Sequence, residues 1–421
     1  MVDPKLLREK PDLIREAIRK KGEEVDLDHL IGLDQKRREL QTDLDRLRAE
    51  RNTLSERIGE LKRKRADDPE LIKKAKAITD RIKDVETNLK KLMTEYDEKI
   101  LSIPNIPHAS VPYGQGDADN LLVREWGEPL KDEDLLPHWE LGEGLGILSF
   151  REAAKISGSR FVVYKGWGAR LERALINFFI DVHIREHGYV EVFPPFLNNT
   201  DCLIGTGQLP KLRDDMYKIE GENLYLDPTA EVPLTNLHRE EIIPEKRLPI
   251  RYCAYTACFR REAGSYGKDV RGMIRTHQFN KVELVKYATP EHGYEEFEGL
   301  LADAEDIVKR LELPYRVRLL CTGDMTFASA KTFDIEVWAA GVQRFLEVSS
   351  VSIYEQFQAR RANIRYRSRE GKVDYVHTMN GSGLATSRIF PAIIENNQTK
   401  DGRIRIPGVL RPYLDGAEYI E

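Results

Sequence analysis

The 421-residue sequence predicts an α+β fold: an N-terminal antiparallel helical coiled-coil arm, then a body built on a mostly antiparallel β-sheet flanked by helices. Three observations predict it. Two apolar seams with coiled-coil spacing occupy the N-terminal part. Many short β-rich runs with hairpin connections, and few helices, fill the rest. Neither GxGxxG nor the phosphate-loop pattern GxxxxGKS/T is present to announce a parallel nucleotide-binding sheet. The expected divisions are an N-terminal domain over 1–100 with its arm at about 34–100, a connector over 101–136 and the body over 137–421.

Residues 1–33 read as a short amphipathic helix and a small cap-like unit. Leu40, Leu44, Leu47, Leu54, Ile58 and Leu61 then follow alternating four- and three-residue steps, broken at Arg51, and Leu71, Ala75, Ile78, Ile82, Val85, Leu89, Leu92 and Tyr96 make a second seam. Between them ADDPE puts Pro69 where it opens a helix but does not continue one. Two helices of roughly 30 residues give an arm about 45 to 50 Å long at 1.5 Å per residue. Its only apolar surface is the seam between its own helices, so it is built to reach rather than to enclose. Lys62, Arg63, Lys64 and Arg65 at the tip, with Lys73, Lys74 and Lys76 on the returning helix, concentrate positive charge there, while the acids of the arm lie elsewhere. This suits a structured polyanion such as RNA. A solvated helix face is the plainer alternative.

The proline- and glycine-rich stretch 101–136 reads as a connector with no element of its own. ARLERALINFFIDVHIREHG is a helix stopped by Gly188, followed by the strand YVEVF and by Pro194 and Pro195. NLYLDPTAEVPLTNLH gives a strand, a turn at Thr229, Ala230 and Glu231, and a helix start. CAYTACF and VELVKY are buried strands of a long hairpin. EEFEGLLADAEDIVKRLE is helical, and YRVRLL, TFDIEVWAA, QRFLEVSSVS and ANIRYRS are strand runs. NGSGLATSR reads as a glycine-rich turn entering a last helix that contains IFPAIIEN.

A composition 41% hydrophobic and 33% charged is that of a soluble protein, and a net charge of −5 argues against indiscriminate nucleic-acid binding while allowing a local basic patch. Cys202, Cys253, Cys258 and Cys321 form no CxxC pair, so neither a zinc knuckle nor a disulfide framework is indicated, no zinc is expected and a reducing cytoplasm is the natural compartment. The N-terminal stretch is charged and amphipathic rather than of signal-peptide kind. No apolar run approaches membrane-spanning length, so no membrane partner is expected.

The most informative stretch is FRREAGSYGKDVRGMIRTHQFNKVE, residues 259–283. Its loop is too basic and glycine-rich for a simple hairpin turn. Arg260 and Arg275 suit phosphate or carboxylate oxygens, to which guanidinium makes paired, charge-assisted hydrogen bonds, and Phe279 offers a face for a flat base. The alternative is a salt-bridged ribbon in which Arg260, Glu262 and Glu283 pair among themselves.

Taken together, these segments resemble a known family. The hairpin, the helix-strand-proline unit ending at Pro195 and the GSGLATSR segment are similar to motifs 2, 1 and 3 of class II aminoacyl-tRNA synthetases. The long arm, the TAE turn and FQARRANIRYR narrow the resemblance to the seryl-tRNA synthetase family, over essentially the whole chain. The resemblance implies a serine–tRNA ligase that joins serine to the α-phosphate of ATP, expels pyrophosphate, and passes the seryl group to the 3′-terminal ribose of tRNA(Ser), and of tRNA(Sec) as well. It implies that Arg260 bridges α-phosphate and serine carboxylate, that Glu262 meets the adenine side and that Phe279 stacks on the base. Arg275 and Arg388 are then expected on the outer phosphates, with Glu347 and Ser350 as oxygen ligands of Mg²⁺; Arg260, Glu347 and Arg388 are the catalytic set. Thr229, Glu231 and Glu283 are implied in the amino-acid pocket, with Asn380 and Ser382 near the serine hydroxyl. A homodimer is also implied, with the motif 1 helix and strand at its interface; LINFFIDV has more apolar residues than a lone surface helix requires.

In one place the sequence departs from the family. LEVSSVSI stands where REISSCSN is usual, so that Leu346, Val351 and Ile353 replace a basic residue, a cysteine and a polar residue. The basic residue is expected near the ATP phosphates, and Arg344, on the same strand face by period-two alternation, is expected to compensate. Two rivals follow from the sequence: a specialised or catalytically degenerate relative acting as an RNA-binding module, and a zinc peptidase using the HxxEH of His183, Glu186 and His187.

Overall fold

The computed structural model describes residues 1–132, 134–263 and 271–421, so most of the expected hairpin loop lies outside the described residues. The chain divides into two units, one of Pro4–Ile18 with Glu23–Ile103, the other of Met1–Asp3, Arg19–Gly22 and Pro104–Glu421.

The first unit is dominated by two long helices, α1 (Leu27–Arg63) and α2 (Pro69–Ile100). Helix α1 starts earlier than the seam suggests, because Asp26 caps it by accepting the His29 N–H at 2.9 Å; its first turns therefore lie in the stretch expected to be a cap-like unit. Asp68 caps α2 in the same way through Leu71 N–H at 3.0 Å, with Pro69 in the first turn. Leu44, Leu47, Leu54, Ile78, Ile82 and Val85 are buried between the helices, with Leu40, Leu71, Ala75 and Leu89 against them. The tip bases are exposed as expected, but not as isolated as expected. Lys74 Nζ pairs with Glu50 at 3.2 Å, and the exposed Asp67 and Asp68 stand in the turn itself.

In the second unit, eight strands form one sheet: β1 (Leu121–Trp126), β2 (Val190–Glu191), β3 (Ile250–Phe259), β4 (Gln278–Ala288), β5 (Tyr315–Leu319), β6 (Lys331–Ala339), β7 (Arg344–Glu355) and β8 (His377–Ala385). Their order is β1-β5-β6-β7-β8-β4-β3-β2, antiparallel except for the β2–β3 pair. Helices α3 (Trp167–Arg185), α4 (Gly293–Arg310) and α5 (Thr386–Asn396) supply Leu175, Phe179, Leu300, Ile307, Ile389 and Ile393 to a core shared with Leu284, Val351, Ile353 and Met379 of the strands.

Three expectations are corrected here. NGSGLATSR is not a turn: 377–385 is one fully buried strand, and its glycines are there for space, since a Cβ on Gly381 would lie 2.6 Å from Leu300 Cδ2 and one on Gly383 would lie 2.5 Å from His183 Nε2. The connector is not without structure, because Leu121–Trp126 adds an edge strand to the sheet. LINFFIDV does not present spare apolar surface: Leu175, Phe178, Phe179 and Val182 are buried in the core of their own chain. Exposed apolar side chains are found elsewhere, among them those on β1 (Leu121, Leu122, Val123 and Trp126) and around β2 (Val190 and Phe193).

Candidate active site

On the central strands β4, β7 and β8, residues facing the helices alternate with polar residues facing the other way, and the latter floor a cleft of about 420 Å³. Every residue expected to meet a nucleotide or an amino acid lines it: Arg260, Glu262, Arg275, Phe279, Glu347, Ser350, Arg388, Thr229, Glu231, Glu283, Asn380 and Ser382. Glu347 and Ser350 are an odd number of residues apart, which simple alternation would place on opposite faces. A bulge resolves this, since Ile335 pairs with Ser349 and Glu336 with Glu347, leaving Val348 without a partner and turning both side chains to the cleft.

At one end the cleft is lined by arginines. Arg260 donates through Nε to Pro228 O at 3.2 Å and lies 5.2 Å from the centre of the Phe279 ring. Arg275 Nη1 donates to Glu262 Oε2 at 2.9 Å, while its buried Nε has no hydrogen-bond partner among the described residues. Arg388 Nη1 donates to the Glu347 carbonyl at 2.7 Å and lies 3.2 Å from its carboxylate. Beside these, burial first and the charge of Glu347 second hold the Asp334 carboxyl well above its ordinary range.

At the other end, side chains on β4, β7 and β8 and the 229–231 turn make a small polar pocket. Lys281 pairs with Glu283 and donates to Thr229 Oγ1 at 2.8 Å. Asn380 donates to Glu283 Oε1 at 2.6 Å and accepts from the Tyr354 hydroxyl at 2.7 Å. Glu231 accepts from Gln358 Nε2 at 2.7 Å and from Gln208 at 3.3 Å. Burial first, then the charge of Glu283, pushes the Glu231 carboxyl up to about 7. With Lys281 committed to Glu283, the pocket has one carboxyl in excess, an arrangement that a cationic group from outside would relieve.

Residues 1–107 match the seryl-tRNA synthetase N-terminal domain and residues 216–397 match the tRNA synthetase class II core domain (G, H, P, S and T). The serine–tRNA ligase of Caldanaerobacter subterraneus is 56% identical over 98% of both chains, and that of Pelotomaculum thermopropionicum is 51% identical over all of both. The chain belongs to the seryl-tRNA synthetase family. Among solved members, the enzyme of Pyrococcus horikoshii complexed with ATP superposes with a TM-score of 0.92 at 39% identity, covering 100% of this chain and 99% of that one. The Naegleria fowleri cytoplasmic enzyme, in complex with AMP, gives 0.87 at 31% identity over the same shares.

The departure from the usual family segment has a physical reading. Leu346 is buried against Ile274, Ala339 and Val342, and neither it nor Arg344 lines the cleft, so the expected compensation by Arg344 has no geometric basis. The HxxEH histidines face protein partners: His183 Nε2 meets Gly383 O at 2.9 Å, the two Nδ1 atoms are 3.0 Å apart, and His187 Nε2 lies 3.1 Å from Asp306. Glu186 is held by Arg310.

Sequence reasoning missed Lys281, Asp334, Ser352, Tyr354 and Gln358. Period-two steps from Phe279 and Ser350 carry the signal for Lys281, Ser352 and Tyr354; nothing comparable marks Asp334 or Gln358. Because the Gln358 bond favours the ionised form of Glu231, Gln358→Leu should raise the titration midpoint of Glu231 further above about 7. Carboxyl-resolved infrared difference spectra across pH 5 to 9 would read this; an unmoved midpoint would count against the bond.

Proposed function

We propose that the protein is a serine–tRNA ligase that forms seryl-adenylate from serine and ATP and transfers the seryl group to tRNA(Ser). The observation that carries this reading is the single cleft with arginines at one end and an excess carboxyl at the other, in a chain similar over its full length to serine–tRNA ligases. Arg260, of the arginine end, bridges the α-phosphate and the serine carboxylate, lowering the repulsion between two anions that must meet. Phe279 stacks on adenine with Glu262 at its edge, and Arg275 and Arg388 take the outer phosphates, exchanging their present carboxylate partners for phosphate oxygens. The serine ammonium sits against Glu231, Glu283 and Thr229, and its hydroxyl lies near Asn380 and Ser382. Catalysis here is alignment and charge neutralisation, with no covalent work by the protein.

Mg²⁺ with ATP fits these residues. Glu347 and Ser350 offer hard oxygens, Asp334 Oδ1 is buried with no hydrogen-bond partner among the described residues, and this ion needs few protein ligands because phosphates and waters complete its shell. When bound it neutralises phosphate charge. A catalytically degenerate RNA-binding relative would have no need of this complete set of cleft residues.

The remaining readings concern the partners. The N-terminal domain, with its arm over about 34–100, engages tRNA through the tip bases, and the body from about 137 holds the chemistry. The chain works in the cytoplasm as a homodimer. The apolar side chains exposed on β1 and around β2 support the dimer, as a row of unpaired edge groups beside exposed Leu and Trp is a surface that needs a cover.

Serine-dependent exchange of pyrophosphate into ATP tests the activity, and its absence in the folded protein would sink the reading. Glu231 attracts the ammonium only when ionised, so the KM for serine should rise as pH falls through about 7. Glu231→Gln should lose that dependence at a KM about ten- to a hundredfold higher, the worth of one charge-assisted contact. Removing residues 36–98 with a short bridge should leave exchange nearly intact and abolish transfer to tRNA; a parallel loss of both would make the arm a folding element. Sedimentation at micromolar concentration should give twice the chain mass, and Leu122→Glu with Phe193→Glu should reduce it toward one. A parent of single chain mass retaining full activity would rule the dimer out.

A further inference from the structure

We propose that His138 is a positioning residue for Arg275, and that through it both outer-phosphate arginines are referenced to one helix. The proposal rests on the reading that Arg275 meets ATP. Strand β3 ends at Phe259 and β4 begins at Gln278, so no strand pairing fixes residues 271–275, the limb that carries Arg275 into the cleft. Something else must hold that limb, because a guanidinium that is to meet a phosphate at hydrogen-bond distance tolerates little displacement of its backbone.

The hold is a buried hydrogen-bond chain. Met273 N–H donates to His138 Nε2 at 3.1 Å, so that this nitrogen is the acceptor and the ring proton belongs on Nδ1. Nδ1 lies 2.7 Å from Glu395 Oε1, to which it donates, and the same oxygen accepts His138 N–H at 2.9 Å. Glu395 Oε2 accepts the N–H groups of Gly341 at 2.9 Å and Val342 at 3.2 Å, in the turn between β6 and β7. His138 and Glu395 are both fully buried. The approach of the limb to the imidazole is close enough to demand glycine. Gly272 has φ +78°, and a Cβ there would lie 2.1 Å from His138 Nε2. Two residues further on, Ile274 packs against Leu346 and Ala339, so the limb is gripped on both sides of the Met273 peptide.

Helix α5 gives this arrangement its purpose. Arg388 projects from its first turn, and Glu395 lies near its last residue. The helix that presents one arginine directly thus fixes the height of the other through Glu395 and His138. A rigid common reference of this kind preserves the spacing of two charges that must meet the same triphosphate.

The test uses the full chain and measures the Kd for ATP by titration calorimetry, and the KM for ATP and for serine in pyrophosphate exchange. His138→Phe keeps the volume and loses both bonds; His138→Gln keeps a donor and an acceptor; Gly272→Ala pushes the limb off the ring at a position outside the strands. His138→Phe and Gly272→Ala should weaken ATP about tenfold, the scale of one lost buried hydrogen bond, with the KM for serine moved less than about twofold. His138→Gln should recover most of the loss. A merely structural role predicts a different result: ATP and serine weakening together, or no gain from glutamine over phenylalanine, and either outcome overturns the proposal. So does an unchanged Kd for ATP in Gly272→Ala, which decides the matter if His138→Phe does not fold. A parent that binds ATP but shows no serine-dependent exchange would refute the ligase reading instead, and the calorimetric comparison would still judge His138.

Discussion

The cleft depends on two side chains that are absent from strand β8. Gly381 and Gly383 leave the space in which Leu300 of α4 and His183 of α3 come down on the middle of the sheet. These glycines are there for room and not for a positive φ, and an alanine at either would have to displace the Leu300 or His183 side chain. Once that face is sealed, the residues that alternate with them, Asn380 and Ser382, face the cleft. Burial lowers the His183 pKa to about 3, so the ring stays neutral and donates through Nε2 to Gly383 O without bringing a charge into the core. Chemistry on one face of the sheet is thus a consequence of packing on the other.

The electrostatics of the cleft follow from keeping so many charges together in one hollow. Arg275 rests on Glu262, Arg388 on Glu347 and Lys281 on Glu283. The ribbon of mutual ion pairs, weighed from the sequence as an alternative to a ligand site, is therefore present in part, with different partners. It does not compete with the functional reading. A cluster of arginines awaiting phosphate would repel itself, and removing it from water without partners would cost several kcal/mol per charge. Glu231 lacks such a cation and stays near the point of half-ionisation instead. The two ends solve the same desolvation problem differently, by ion pairing among the arginines and by holding a proton at the carboxyl.

Much of this was legible in the sequence, and the omissions have physical causes. Coiled-coil spacing gave the arm because its seam is its only core, so each apolar position has one possible use. Reading apolar, β-rich runs as strands found β3, β4 and β7. It failed at β8, where glycine is a turn former in most settings and reads as one until the helix above it is known. It does not give the side-chain parity at Glu347, where a bulge reverses it. It also misjudged LINFFIDV, since a count of apolar residues does not tell whether the chain's own core or another surface will cover them. Gln358 and Asp334 carry no local pattern, because their roles arise from neighbours far away in the sequence.

Leu346 brings these threads together. Read against the family segment, it is a lost positive charge, and charge accounting alone sends one looking for a replacement at Arg344. Packing gives another account. The side chain at 346 lies under Ile274, and Ile274 is followed directly by Arg275. A leucine there adds a small apolar contact to the limb that carries the arginine. A residue near a charged site need not act by its charge: by fixing the backbone of a neighbour, an apolar side chain sets where that neighbour's charge can be. The apolar side chain at 346 thus supports the backbone next to Arg275.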